Sequence, residues 1–200
     1  MEQYMKVLKS YKRMPRVLED YLRESVKPVF FPKGSMLQKN GKTCRHIYFI
    51  EKGVVKIADN EKTYFFKKEN DFIISYLLAN TKMSVARAGV EALEDVTAWD
   101  FTPEVLEDAE ERFIEIQAHL RLMLEKQVKV SEEINYLLRE EDSPSQLYDY
   151  LHKETPDLLD RVEPKHLASF LGISEQVLLH MKNSNIRTPI NMMRRRRKRS

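Results

Sequence analysis

The run HIYFIEKGVVKIADNEKTYFF, from His46 to Phe66, holds three short stretches of β-branched and aromatic residues, parted at Lys52-Gly53 and at Asp59-Asn60. Valine, isoleucine, tyrosine and phenylalanine suit a pleated, half-buried surface, and glycine or Asp-Asn lets the chain reverse tightly. Val29 to Phe31, with a turn at Pro32-Lys33-Gly34, precede this run; Phe72–Tyr76, Met83–Val90 and Val96–Phe101 continue it. Short strands at such regular spacing point to a small antiparallel roll or barrel.

Helices flank the strands. From Met1 to about Ser25 the pattern is helical, and Pro15 divides it. Thr102-Pro103-Glu104 combines a threonine cap, a proline at the first helical position and an acid in the first turn, so it opens a helix. A long helix is then expected from about Glu111 to Leu138. Along it Phe113, Ile116, Leu120, Met123, Gln127, Val130, Ile134 and Leu137 alternate steps of three and four. That spacing is the seam of a two-stranded coiled coil, and a lone polar residue such as Gln127 commonly fixes register. A single amphipathic helix lying on its own domain's core has the same pattern.

Ser143-Pro144-Ser145-Gln146 has the form of a capping box and starts the helix SQLYDYLHKE, which marks a domain boundary. Thr155-Pro156-Asp157 begins another short helix. PKHLASFLGISEQVLLHMKNSN then reads as two helices joined at a glycine. Leu167, Leu171, Ile173, Leu178 and Met181 are its apolar positions, and Ala168 is small where the helices approach. Gly172 tolerates a positive φ, and Ser174 can cap the second helix. This is the arrangement of a helix-turn-helix, whose second helix enters the major groove; an ordinary αα-corner is the alternative.

The expected fold class is therefore α+β. An N-terminal antiparallel β-roll with its helices occupies residues 1–110, and a long dimerisation helix follows over 111–141. A helical helix-turn-helix domain then spans 143–193, with a basic tail at 194–200. Two hundred residues suffice for one large domain or two modest ones. One cysteine excludes a disulfide framework, a four-thiolate iron–sulfur cluster and a cysteine-rich zinc site. No apolar run is long enough to span a bilayer, and the N-terminus lacks the apolar core of a signal peptide, so a cytoplasmic protein without membrane partners is expected. The formal charge of +3 includes six cations in RRRRKR, Arg194 to Arg199, which leaves the rest of the chain at −3. Such a tail favours polyanions without selecting a sequence.

Over nearly its full length the chain resembles the cyclic AMP receptor protein/FNR superfamily of bacterial transcription regulators. VFFPKGSMLQKNGKTCRHIYFIEKGVVKI looks like that family's cyclic-nucleotide-binding-type roll, with Gly34, Gly41 and Gly53 at its turns. ENDFIISY through EALEDVTAWDF resembles the segment with its nucleotide cassette. The long helix and the two-helix corner follow in the family's order. The resemblance implies a homodimer, double-stranded DNA and RNA polymerase as partners, and a small-molecule effector.

In the family's cassette a glutamate accepts from a ribose hydroxyl and an arginine pairs with the cyclic phosphate. Here Ile74 stands at the glycine position, Ser75 at the glutamate and Tyr76 at the leucine. Ala86 falls at the arginine and Arg87 at the serine beside it. Val130 replaces a polar adenine contact, while Ser131 matches its neighbour. Strand alternation turns Arg87 away from the pocket unless a bulge intervenes. Strong cyclic AMP binding is not expected, and no cofactor is. The family's iron–sulfur branch needs four cysteines. Cys44 and His46 are imaginable metal ligands but read better as structural. His119, His152, His166 and His180 are scattered. No serine–histidine–acid grouping or paired-carboxylate spacing marks a catalytic site, so an enzyme is not expected.

For DNA, the resemblance puts Ser174 to Lys182 in the recognition helix, with Glu175, Gln176, Leu179 and His180 toward base edges. Family members often use arginine, glutamate and arginine where Glu175, Gln176 and His180 stand here. Gln176 can pair with adenine, Glu175 can accept from cytosine, and Leu179 can touch a thymine methyl. Lys165, Lys182, Asn183 and Arg187 are phosphate candidates, joined by Arg194, Arg195, Arg196 and Arg197 of the tail. The family's β-hairpin wing has no clear counterpart in NIRTPINMM. From Ser143 onward the segment has eleven Lys/Arg and six Asp/Glu, and without the tail it is net acidic by one. A sensing or protein-interaction module with a decayed DNA-binding unit is the alternative, and a pocket-using enzyme a more distant one.

Overall fold

The structure, a computed structural model, describes residues 2–42, 46–59, 62–74, 88–137 and 143–187. It divides into two compact units, the first ending at Asn135 and the second starting at Tyr136. Helices α1 (Glu2–Tyr11) and α2 (Arg16–Ser25) lead into strands β1 (Lys27–Phe31), β2 (Met36–Gln38), β3 (Ile47–Lys52), β4 (Val55–Ala58), β5 (Thr63–Lys67), β6 (Phe72–Ile74), β7 (Gly89–Ala92) and β8 (Val96–Phe101). Helices α3 (Pro103–Arg112) and α4 (Ile114–Leu137) follow. Pro15 separates the first two helices, having no N–H to continue the ladder. Thr102 Oγ1 accepts from the Val105 N–H at 3.4 Å and so starts α3 where its sequence motif predicted.

The strands form two antiparallel four-stranded sheets, in the orders β1-β8-β3-β6 and β2-β7-β4-β5. Val29 faces Ala98, Ile47 faces Phe101 and Val55 faces Ala92 across the ladders. Because alternate residues of a strand point to opposite faces, the first sheet serves two cores at once. Tyr48, Ile50, Ile73, Val96 and Ala98 join Leu37, Val55, Val90 and Ala92 inside the roll. Ile47, Phe49, Phe72, Ile74, Trp99 and Phe101 join Tyr4, Leu8, Leu18 and Leu22 from the helices on the other face. Tyr4 packs at 5.5 Å from the Trp99 ring and 5.4 Å from Phe101. The Trp99 Nε1–H is buried and has no hydrogen-bond partner among the described residues.

Gly53 closes the turn between β3 and β4. Its φ is +109°, and a Cβ there would lie 2.7 Å from the Asp95 carbonyl oxygen, so only glycine fits. Its N–H donates to Glu69 Oε1 at 2.8 Å.

Where one long helix was expected from Glu111, the chain breaks. Glu111 and Arg112 end α3, and Phe113 is extended at φ −135°, ψ 101° before α4 begins. The break lets the Phe113 ring pack at 5.3 Å on Tyr21, with the Arg112 guanidinium over the same tyrosine at 4.8 Å. Part of the expected coiled-coil seam packs inside its own unit. Ile116 and Met123 are buried in the helix-side core of their own unit, with Phe113 and Leu120 packed against it. For this half of the seam the amphipathic alternative holds. His119 is buried in the same region, its Nδ1 3.0 Å from the Glu115 carbonyl oxygen and its Nε2 3.2 Å from that of Lys12. It ties the start of α4 to the end of α1. In the second half Gln127, Val130 and Leu137 are half-buried and Ile134 is buried.

The second unit contains α5 (Ser143–Glu154), α6 (Leu158–Arg161), α7 (Pro164–Leu171) and α8 (Glu175–Arg187). Ser143, expected as a cap, is the first described residue of α5, and residues 138–142 before it lie outside the described residues. Leu147, Leu151, Leu158, Leu167, Leu171 and Leu178 are buried in this unit. Gly172 ends α7 in the left-handed conformation at φ 70°, ψ 30°. The N–H of Ile173 donates to the Ala168 oxygen at 3.0 Å and that of Gly172 to Ser169 at 3.3 Å, the paired bonds of a Schellman cap. Ser174 Oγ then accepts from the Val177 N–H at 3.3 Å and starts α8.

Candidate functional site

The helical corner holds the residues aimed at DNA by the sequence reading. Leu178 anchors α8 by being fully buried, which turns Glu175, Gln176, Leu179, His180 and Asn183 to solvent. Val177, which sequence reasoning passed over, is also exposed. Two of the expected phosphate contacts are already engaged. Lys182 Nζ donates to the Leu159 carbonyl oxygen at 3.1 Å, and Lys165 Nζ pairs with Glu163 at 2.8 Å. The lysine on α8 thus also ties that helix to α6. Arg187 is the last described residue of α8; the tail with Arg194, Arg195, Arg196 and Arg197, and the place where a wing would stand, lie outside the described residues.

The effector positions are split. Ser75, Tyr76 and Arg87 lie outside the described residues. Ile74 is described: its side chain is buried on the helix side of the sheet beside Ile47, while Ile73 faces the roll interior. Val130 and Ser131 are half-buried on α4. Lys67, at the end of β5 opposite Val55, was not singled out from sequence. Burial holds its pKa below the ordinary lysine value and the Lys126 charge on α4 adds to this, while Asp71 opposes both. Lys126 itself lies over the Tyr11 ring at 5.6 Å. An open cleft of about 530 Å³ runs between the β3 and β6 ends and the helices α3 and α4, with Ile74, Leu106, Leu120 and Leu124 beside Glu107, Glu110 and Arg121.

The long helix carries a second stripe, one residue on from the expected seam. Ile114, Gln117, Arg121, Leu124 and Val128 keep the three-four spacing. Ile114 is 78% and Val128 43% exposed. Ile114 and Val128 are thus apolar side chains in solvent two heptads apart, while Leu124 between them packs against the core of its own unit.

His46 Nδ1 lies 2.8 Å from Asp100 Oδ1 and its ring stacks on Tyr48 at 5.6 Å. Cys44 lies outside the described residues. Among the described residues no group of three or more His, Cys, Asp or Glu side chains can hold a metal ion, and no helix is long and apolar enough to cross a membrane.

These elements define a class: a cyclic nucleotide-binding-type β-roll followed by a long helix and a helical C-terminal unit. Residues 28–112 match the family model described as the cyclic nucleotide-binding domain. The chain has the fold of the Crp/Fnr regulators. It is similar to FixK2 from Bradyrhizobium japonicum, with a TM-score of 0.65 at 14% identity over 80% of this chain and 83% of that one. A structure described as the c-di-GMP responsive global regulator CLP of Xanthomonas campestris gives 0.65 at 11% identity, over 85% and 91%. One described as a Crp/Fnr-family transcriptional regulator from Eubacterium rectale gives 0.65 at 11%, over 88% and 87%. No curated protein matches the chain by sequence.

Proposed function

We propose that the chain is a homodimeric transcription regulator, not an enzyme, that binds specific DNA sequences through the corner of α7, Gly172 and α8. The reading rests on that corner: a Schellman-capped helix, a serine-capped second helix and an outward polar ridge, placed after a cyclic nucleotide-binding-type domain in a regulator fold. A helix presented this way fits the major groove, and dimer symmetry then requires two half-sites about one helical turn apart, roughly 34 Å. Ile114 and Val128 support pairing of two copies along α4.

The β-roll in this reading does not respond to cyclic AMP. This part of the reading rests on the sequence of the cassette, where Ile74 stands at the family's glycine, Ser75 at its glutamate and Ala86 at its arginine, so the charge-assisted contacts to ribose and phosphate are lost. A switch still needs two arrangements that some signal stabilises differently. Gel retardation of random duplexes by the full-length protein at moderate salt, with excess competitor, tests DNA binding; calorimetry tests the nucleotide. Low-micromolar affinity for cyclic AMP or cyclic GMP overturns the second half.

The engaged Lys165 and Lys182 favour one other reading, in which the second unit is a protein-interaction module. Absence of retardation, with a dimer in solution, selects it.

A further inference from the structure

Among the described residues of α8, Val177 and Leu179 are the large apolar side chains left in solvent, 47% and 50% exposed. They adjoin Leu178, which is fully buried. At 3.6 residues per turn each stands about 100° round the helix from the buried direction, one to either side. Gln176 and His180 occupy the outward ridge between them. An isolated exposed aliphatic needs no explanation. A branched pair bracketing the outward ridge of a capped helix does.

A helix about 10–12 Å across fills a major groove about 12 Å wide, so the ridge meets base edges and the two flanks meet the sides of the groove. The apolar group that DNA offers there is the thymine C5-methyl, which sits toward its own strand. Guanine is most often read by a bidentate arginine or lysine. From Glu175 to Asn183 the one lysine or arginine is Lys182, and its Nζ is held by the Leu159 carbonyl. Resting on the DNA-binding reading above, we infer that Val177 and Leu179 are specificity residues that seat thymine methyls, one from each strand of the half-site. The operator is then recognised through thymine-bearing pairs rather than through guanine.

The test uses the full-length protein. Bound duplexes are selected from a random pool, and thymines in the recovered half-site are replaced one at a time by deoxyuridine, which lacks only the methyl. Expected are enriched thymines on opposite strands and a roughly four-fold loss of affinity for each of two methyls removed, the worth of about one buried methylene. Val177→Ala abolishes the sensitivity at one position and Leu179→Ala at the other, with thermal melting unchanged because both sites are on the surface. Half-sites without enriched thymine, or uracil effects that persist in both variants, overturn the inference and leave DNA binding standing. Retardation of no duplex overturns both together.

Discussion

Lys182 Nζ donates to the carbonyl oxygen of Leu159 at 3.1 Å, joining α8 to the short helix α6. The contact ties the lysine's ammonium to the backbone of its own unit. Lys182→Met is therefore expected to lower the stability of that unit by about 1 kcal/mol, within the range for a hydrogen bond from a charged donor near the surface. Urea unfolding measures this. The salt dependence of DNA binding should hardly change, whereas loss of a phosphate contact lowers its slope by about one.

The proposed dimer makes different predictions for the two stripes of α4. Val128→Asp places a charge on the exposed stripe and is expected to convert dimer to monomer with little change in melting temperature. Met123→Ala hollows the core of the first unit and should cost about 3 kcal/mol. Analytical ultracentrifugation and calorimetric melting distinguish them, and a monomeric Met123→Ala that melts normally contradicts the assignment.

Gly53→Ala is expected to destabilise the roll by about 2 kcal/mol. The positive φ and the approach of the Asp95 carbonyl act together, and nearby backbone rather than a flexible side chain has to move. Hydrogen exchange at β3 and β4 should rise before exchange in the second unit does.

Glu19 on α2 accepts from Lys9 and from Arg23, the latter at 2.7 Å, and both hold its carboxyl below the ordinary value of 4.5. A carboxylate whose folded pKa is depressed adds stability that is complete above the unfolded value and is lost as pH falls through the folded one. The melting temperature should therefore fall more steeply below about pH 4.5 in the parent protein than in Glu19→Gln. Melting curves from pH 7 to pH 2.5 show whether the acid limb flattens.

Removing Arg194 to Arg199 should weaken DNA binding across all sequences and flatten its salt dependence, because the segment from Ser143 is net acidic by one without them. A truncated protein with an unaltered slope shows that the tail stays clear of the phosphates.

Much of this architecture was legible as residue pattern, though unevenly. Val96–Phe101 was read to the residue because its alternation is clean and a threonine cap follows it. β2 was missed: three residues with a register shift against β7 leave no period to detect. β6 ends its described span at Ile74 and β7 begins at Gly89, so parts of both expected strands lie outside the described residues. The break at Phe113 was invisible because the three-four spacing runs straight through it; the cause is a ring packed on Tyr21, a partner far away in sequence. Part of the expected seam, at Ile116 and Met123, packs into the core of its own unit. Periodicity says that a face is apolar, and only packing says which neighbour covers it. The same limit applied at the corner. Lysines at positions 165 and 182 look alike as text, and their partners, a glutamate two residues back and a carbonyl on another helix, appear only in three dimensions.

The chain contains one tryptophan, and it stands in the sheet whose two faces line both cores of the first unit. Trp99 is thus a built-in optical gauge. Its shielded indole should emit toward the blue, and any rearrangement that disturbs either side of that shared wall should shift its colour. Binding of a candidate ligand to the first unit can then be followed by intrinsic fluorescence, with no dye attached.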